Sequence, residues 1–213
     1  MSMVDLYCER LGPGLWAEPL NASSNLAFLI AASAIWHLAR GRQSLSGSIW
    51  LLISLVAAIG TGSLLFHTFA TSWARLLDQA PILIFQVLFL WVYSRQVAGL
   101  GMGPTVSLCV GFVVTAHFGA QFPDVLNGSV RYTPAILLLL AMGFYHHLKE
   151  KTERGLLLAA AGVFSISFVF RTIDNGICPH FSPGTHFLWH LLNSVVLYLL
   201  LRSVVVNSPS SQV

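Results

Sequence analysis

Seven apolar runs dominate the chain, at approximately 23–40, 46–68, 76–95, 103–122, 132–148, 155–172 and 186–204. Each is long enough to cross a hydrocarbon layer about 30 Å thick as a helix. In lipid a backbone must satisfy its own N–H and C=O groups, so such runs specify helices, and the short links between them specify a compact bundle. The composition agrees, because a 213-residue chain with 55% hydrophobic and 9% charged residues calls for lipid rather than water around it. The expected fold class is all-α, an integral membrane seven-transmembrane-helix bundle forming one domain over 1–205. A short outer segment, 1–22, precedes it, and a polar tail, 206–213, is expected to be disordered.

Charge orients the bundle and excludes one class of partner. The eleven Lys and Arg are scattered, which argues against nucleic acid, since tracking phosphates needs a basic face. With the N-terminus outside, inner segments hold Arg40, Arg42, Arg95, Lys149, Lys151, Arg154 and Arg202, and outer ones hold Arg10, Arg75, Arg131 and Arg171. Positively charged loops stay cytoplasmic, so N-outside with a cytoplasmic C-terminus is expected. The first twenty residues hold Asp5, Glu9, Arg10, Pro13, Glu18 and Pro19 without an apolar core, so the first run is expected to act as its own insertion signal. Trp16, Trp50, Trp73, Trp91 and Trp189 fall near helix ends, where interfacial rings are common.

Ionisable groups inside spans are costly and therefore informative. His67 ends the second run, Asp78 begins the third, and His186 and His190 open the seventh, all at the outer level. The i, i+4 spacing of His186 and His190 puts both imidazoles on one helix face, and His67 supplies a third donor. Three histidines leave a fourth position for water, the pattern of a catalytic zinc. A polar pocket in which each histidine merely hydrogen-bonds is the blander reading, and the paired spacing favours metal. Ser63 is i, i+4 from His67 and points the same way, although a serine there also bonds its own helix backbone. Asp78 suits a base for a metal-activated water, or a charge complementing a helix N-terminus. His37, His146 and His147 at inner ends, His117 alone in the fourth run and His180 in a loop stay outside the candidate site.

With Ser63-x3-His67, "LLDQAP" containing Asp78, and His186-x3-His190, the chain resembles the alkaline ceramidases, a branch of the seven-helix zinc membrane hydrolases that include adiponectin-receptor and haemolysin III type proteins. Four further stretches, "YCER", "AEPLNASSNLAF", "FRTIDNGIC" and "HFLWH", resemble ceramidase landmarks in order along the chain. The resemblance implies cleavage of the N-acyl amide of ceramide or a related sphingolipid to a sphingoid base and a fatty acid. It assigns zinc to His67, His186 and His190, proton transfer to Asp78, and support of the oxyanion or water to Ser63. It further implies a calcium site with Asp5, Glu9 and Glu18 as ligands, although Leu6, Tyr7 and Leu11 stand where the family has Asp, Trp and Asn. Cys8 and Cys178 correspond to the family's disulfide pair, and Cys109 reads as packing.

Asp174 and Asn175, expected in the loop before the last helix, are assigned either to support of the metal or calcium region or to a turn or cap. The sequons at Asn21 and Asn127 matter only in a eukaryotic source. The membrane is the plasma membrane for a bacterial source and the ER or Golgi for a eukaryotic one. Two other classes stay open: a receptor or haemolysin III-like protein with structural zinc and little turnover, and a transporter or assembly protein whose histidines relay protons.

Overall fold

The computed structural model describes residues 3–208 and is all-helical. Helix α1 (Pro19–Ser24) leads directly into α2 (Leu26–Gly41), and α3 (Gly47–Phe69) and α4 (Ser72–Val92) follow, α4 running on through a π-helical turn, Tyr93–Val97. Then come α5 (Met102–Gly119), a short 3-10 stretch (Val125–Tyr132) leading into α6 (Thr133–Leu148), α7 (Leu156–Ile177) and α8 (His186–Asn207). Among the described residues seven spans are long and apolar enough to cross a membrane: Pro19–Gly41, Gly47–Phe69, Ser72–Val97, Met102–Gly119, Val125–Leu148, Leu156–Ile177 and His186–Asn207.

Local chemistry sets several of these boundaries. Ser46 caps α3, its hydroxyl accepting from the Ile49 amide at 3.4 Å. Pro19 and Pro134 stand in the first turns of α1 and α6, where a missing N–H costs nothing. Helix α3 packs most extensively on α4 and α7 on α8, while α8 also lies along α2. The core between them is apolar, with Ile35, Leu52, Val56, Phe85, Leu157 and Leu201 fully buried. The outside is apolar too: Ile30, Val114, Leu137 and Phe144 are each more than half exposed. An outer surface of that kind is suited to lipid and would be an aggregation liability in water.

Four expectations change. Helix α7 runs five residues beyond the expected end at 172, to Ile177, so Asp174 and Asn175 lie on a helix rather than in a loop. Asp78 is in the second turn of α4, which starts at Ser72. Trp189 turns inward and is buried instead of marking an interface. The expected disordered tail begins too early, since α8 continues to Asn207, and 209–213 lie outside the described residues.

Candidate metal centre

The seam between α3 and α4 carries one half of the site. Pro81 lies inside α4 and has no N–H, so the carbonyl of Leu77, four residues back, loses its helical donor. That carbonyl faces Gly62 of α3, so closely that any Cβ at Gly62 would overlap it. The two helices thus meet where the next residues of each are Ser63 and Asp78, and these two side chains face one another across the seam.

The other half is the start of α8, whose exposed amides are capped from a neighbouring helix. Asp174 of α7, fully buried, accepts from Thr185 N at 2.7 Å and His186 N at 2.9 Å through one oxygen, and from Cys8 N at 3.1 Å through the other. A carboxylate at a helix N-terminus satisfies orphan donors and complements the dipole. The cap reading of Asp174 therefore holds, although from a helix. Gly184, at φ +64°, sits against Asp174 and Cys8, where a side chain would collide. Cys8 and Cys178 form a disulfide, with Cα atoms 5.5 Å apart, that fastens the N-terminal segment to the end of α7.

These anchors bring His67, His186 and His190 together. All three are buried, with ring centroids 5.2 Å apart for His67 and His186, 4.8 Å for His67 and His190, and 4.6 Å for His186 and His190. Each offers a nitrogen within 4.8 Å of the other two, the one such group of His, Cys, Asp or Glu among the described residues.

Their second nitrogens show how they are presented. His67 Nδ1 lies 2.5 Å from Glu18 Oε2, so it donates, leaving its Nε2 lone pair free. His190 Nδ1 lies 2.8 Å from the Ser24 hydroxyl, which spends its own proton on the Asn21 carbonyl and so accepts here. His186 Nδ1 is buried without a hydrogen-bond partner, and Tyr7 stacks on its ring at 3.6 Å. An orphaned imidazole nitrogen beside two oriented ones is costly in an empty pocket and fits a metal-ion donor set.

Ser63 Oγ reaches within 3.5 Å of His190 Nε2 and faces Asp78 across the seam, so Ser63 links the three imidazoles to Asp78. An apolar cavity of about 110 Å³ lies alongside, lined by Phe28, Phe85, Phe89, Tyr132 and Trp189 among others.

The expected calcium group is not assembled. Asp5 is exposed, and Glu9 accepts from the Leu20 and Asn21 amides at 2.7 and 2.8 Å as a cap for α1. Burial, opposed by those two bonds, pushes the Glu9 carboxyl above its ordinary range. Glu18 is turned inward to His67, Asn21 and Arg10. Burial alone would raise its carboxyl, but the His67 hydrogen bond and charge, with Asn21 and Arg10, hold it below the ordinary range. Sequence reasoning thus missed that Glu18 and Ser24 orient the imidazoles. The available signal was an acid and a serine at the helix start, "AEPLNASSN". Asn21 is fully buried with its amide on Glu18, so the first sequon is not presented for modification in this fold.

Fold and site together define a seven-helix protein of membrane-spanning proportions with a buried three-imidazole group able to hold a metal ion. The chain belongs to the ceramidase family, whose model matches residues 7–208, nearly its whole length. Membership brings hydrolysis of the ceramide amide as the general activity and does not favour the receptor-like reading. No curated protein matches the chain closely enough to narrow the activity further.

Proposed function

We propose that the protein is a zinc-dependent intramembrane amidohydrolase that cleaves ceramide, or a related N-acyl sphingolipid, to a sphingoid base and a free fatty acid. The single observation that carries this reading is the buried triad of His67, His186 and His190 beside the facing Ser63 and Asp78. Zinc held by the three imidazoles would polarise the amide carbonyl and acidify a water molecule. Asp78 takes the proton from the attacking water and delivers it to the leaving amine nitrogen, so that one carboxylate serves as base and then acid. Ser63 donates a hydrogen bond to the carbonyl oxygen as negative charge develops there. Glu18 and Ser24 keep His67 and His190 in the tautomers that leave their Nε2 lone pairs available. The neighbouring cavity suits an apolar tail, because its lining is almost wholly aromatic and aliphatic.

Loop charges support an N-terminus outside and a C-terminus in the cytoplasm, with the site at the outer level of a multi-pass protein. The disulfide agrees with an oxidising outer side. The test is purified protein incubated with ceramides of several chain lengths, with and without a zinc chelator. Released bases are identified by mass spectrometry and zinc by elemental analysis. One zinc per chain and chelator-sensitive release are expected, and full hydrolysis by metal-free protein would overturn the reading.

A further inference from the structure

Arg10 is a buried cation surrounded by oxygens. It is 4% exposed, and its Nε donates to Glu18 Oε1 at 2.5 Å. One terminal nitrogen donates to the Gly12 and Gly14 carbonyls at 3.2 and 3.4 Å, and the other to the His67 carbonyl at 2.8 Å. A carboxylate and three backbone carbonyls, drawn from the N-terminal segment and the end of α3, converge on one positive charge. Hard divalent cations such as calcium take that kind of oxygen set. Here the guanidinium already fills it, and its planar fork engages several acceptors at once.

The consequence for Glu18 is that both of its carboxylate oxygens are engaged. Oε1 faces Arg10, while Oε2 serves His67 Nδ1 at 2.5 Å and Asn21 Nδ2 at 3.0 Å. Both oxygens of Glu18 are thus engaged, and the cation beside Oε1 is already the guanidinium. Glu9 is likewise committed to two amides of α1. Arg10 meanwhile holds His67 from two sides, through the backbone carbonyl of that residue and through the carboxylate that orients its ring. The His67 carbonyl lies in the last turn of α3, where helical carbonyls lack donors and a cation is favoured.

We propose that Arg10 is the protein's own cation at the rim of the metal centre: a positioning residue that fixes Glu18 against His67 and makes the centre independent of calcium. The proposal rests on the reading of the three histidines as zinc ligands, and the experiment separates the two. Full-length wild-type protein is first assayed for zinc content, and absence of zinc counts against that reading alone. Equilibrium dialysis against radiolabelled calcium, with thermal unfolding in detergent with and without calcium, then tests Arg10 directly and needs no variant. No stoichiometric calcium uptake and an unchanged midpoint are expected, whereas one calcium per chain would overturn the proposal.

R10A and R10K are next titrated with zinc against a competing indicator. R10A is expected to bind zinc about 10- to 100-fold more weakly, as removal of an outer-shell partner does elsewhere. R10K, which keeps the charge but loses the fork, falls between R10A and wild type. Millimolar guanidinium restores R10A toward wild type and leaves wild type unaffected, a response that a purely structural role would not produce. Zinc affinity equal to wild type in both variants, or absence of guanidinium rescue, would overturn the proposal.

Discussion

Buried histidine occurs at both ends of the bundle, with opposite meaning. His146, near the end of α6, is fully buried and complete: Tyr93 Oη lies 2.8 Å from its Nδ1 and the Thr152 carbonyl 3.2 Å from its Nε2. Its ring ties α6 to the end of α4 and to the following loop and asks for nothing more. At the other end three rings crowd together: the Nδ1 atoms of His67 and His190 are engaged, Ser63 Oγ stands 3.5 Å from His190 Nε2, and His186 Nδ1 is buried and engaged by nothing. A buried polar group without a partner costs on the order of 1–3 kcal/mol, so such an arrangement persists where something else completes it. Burial of a histidine in such a bundle is therefore uninformative by itself, and a buried ring nitrogen left without a partner discriminates.

Substitution of the histidines gives the largest expected contrast. His67→Ala, His186→Ala or His190→Ala should each reduce bound zinc below stoichiometry and bring ceramide hydrolysis to background, read by elemental analysis and mass spectrometry. His146→Ala should leave zinc content and turnover within about twofold while lowering stability by about 1–3 kcal/mol, through loss of one buried and one part-buried hydrogen bond. Loss of zinc in the His146 variant would break the comparison.

Next in size is Asp174→Ala, which strips the cap from α8 and leaves three buried amides without an acceptor. A loss of about 3 kcal/mol, seen as a lower unfolding midpoint, should accompany weakened zinc binding, because His186 is the first residue of the freed helix. Gly62→Ala comes third. Its new methyl group would meet the Leu77 carbonyl and force α3 and α4 apart, at a cost of about 1–3 kcal/mol. Turnover should fall more than tenfold with zinc retained, since Ser63 and Asp78 separate while the α3–α8 contacts that hold the histidines remain.

The smallest effect belongs to the far end. Arg202 grips Glu153 with two bonds of 2.6 and 2.7 Å, and that hydrogen bonding is the main cause holding the Glu153 carboxyl below its ordinary range. A depressed folded-state value means the contribution is present above the unfolded carboxylate range and disappears as pH falls through the folded one. The pair is about one-third exposed, so Glu153→Gln should cost less than about 1 kcal/mol near neutral pH, with the difference from wild type vanishing in acid. Activity at the site should not change.

Much of this protein was legible in the linear chain. Apolar run length alone specified seven helices, because a backbone in lipid has few other ways to satisfy its hydrogen bonds. The i, i+4 spacing of His186 and His190 put two donors on one face whatever else happened, and Ser63 to His67 repeated that geometry on α3. Helix ends were less legible: α7 passed its expected stop because Asp174, a polar residue in the sequence, is buried as the cap of another helix.

Only the tertiary structure decided which partner completes each group. Glu18 read as a calcium ligand, yet it lies against a histidine 49 residues later, and Ser24 orients one 166 residues later. Arg10 read as one charge among eleven until the disulfide and the end of α3 closed around it. Periodicity is written in neighbouring residues, so local sequence determines which face a side chain occupies. The choice among several acids, cations and hydroxyls for a buried imidazole depends on distances of a few ångströms that exist only once the helices pack.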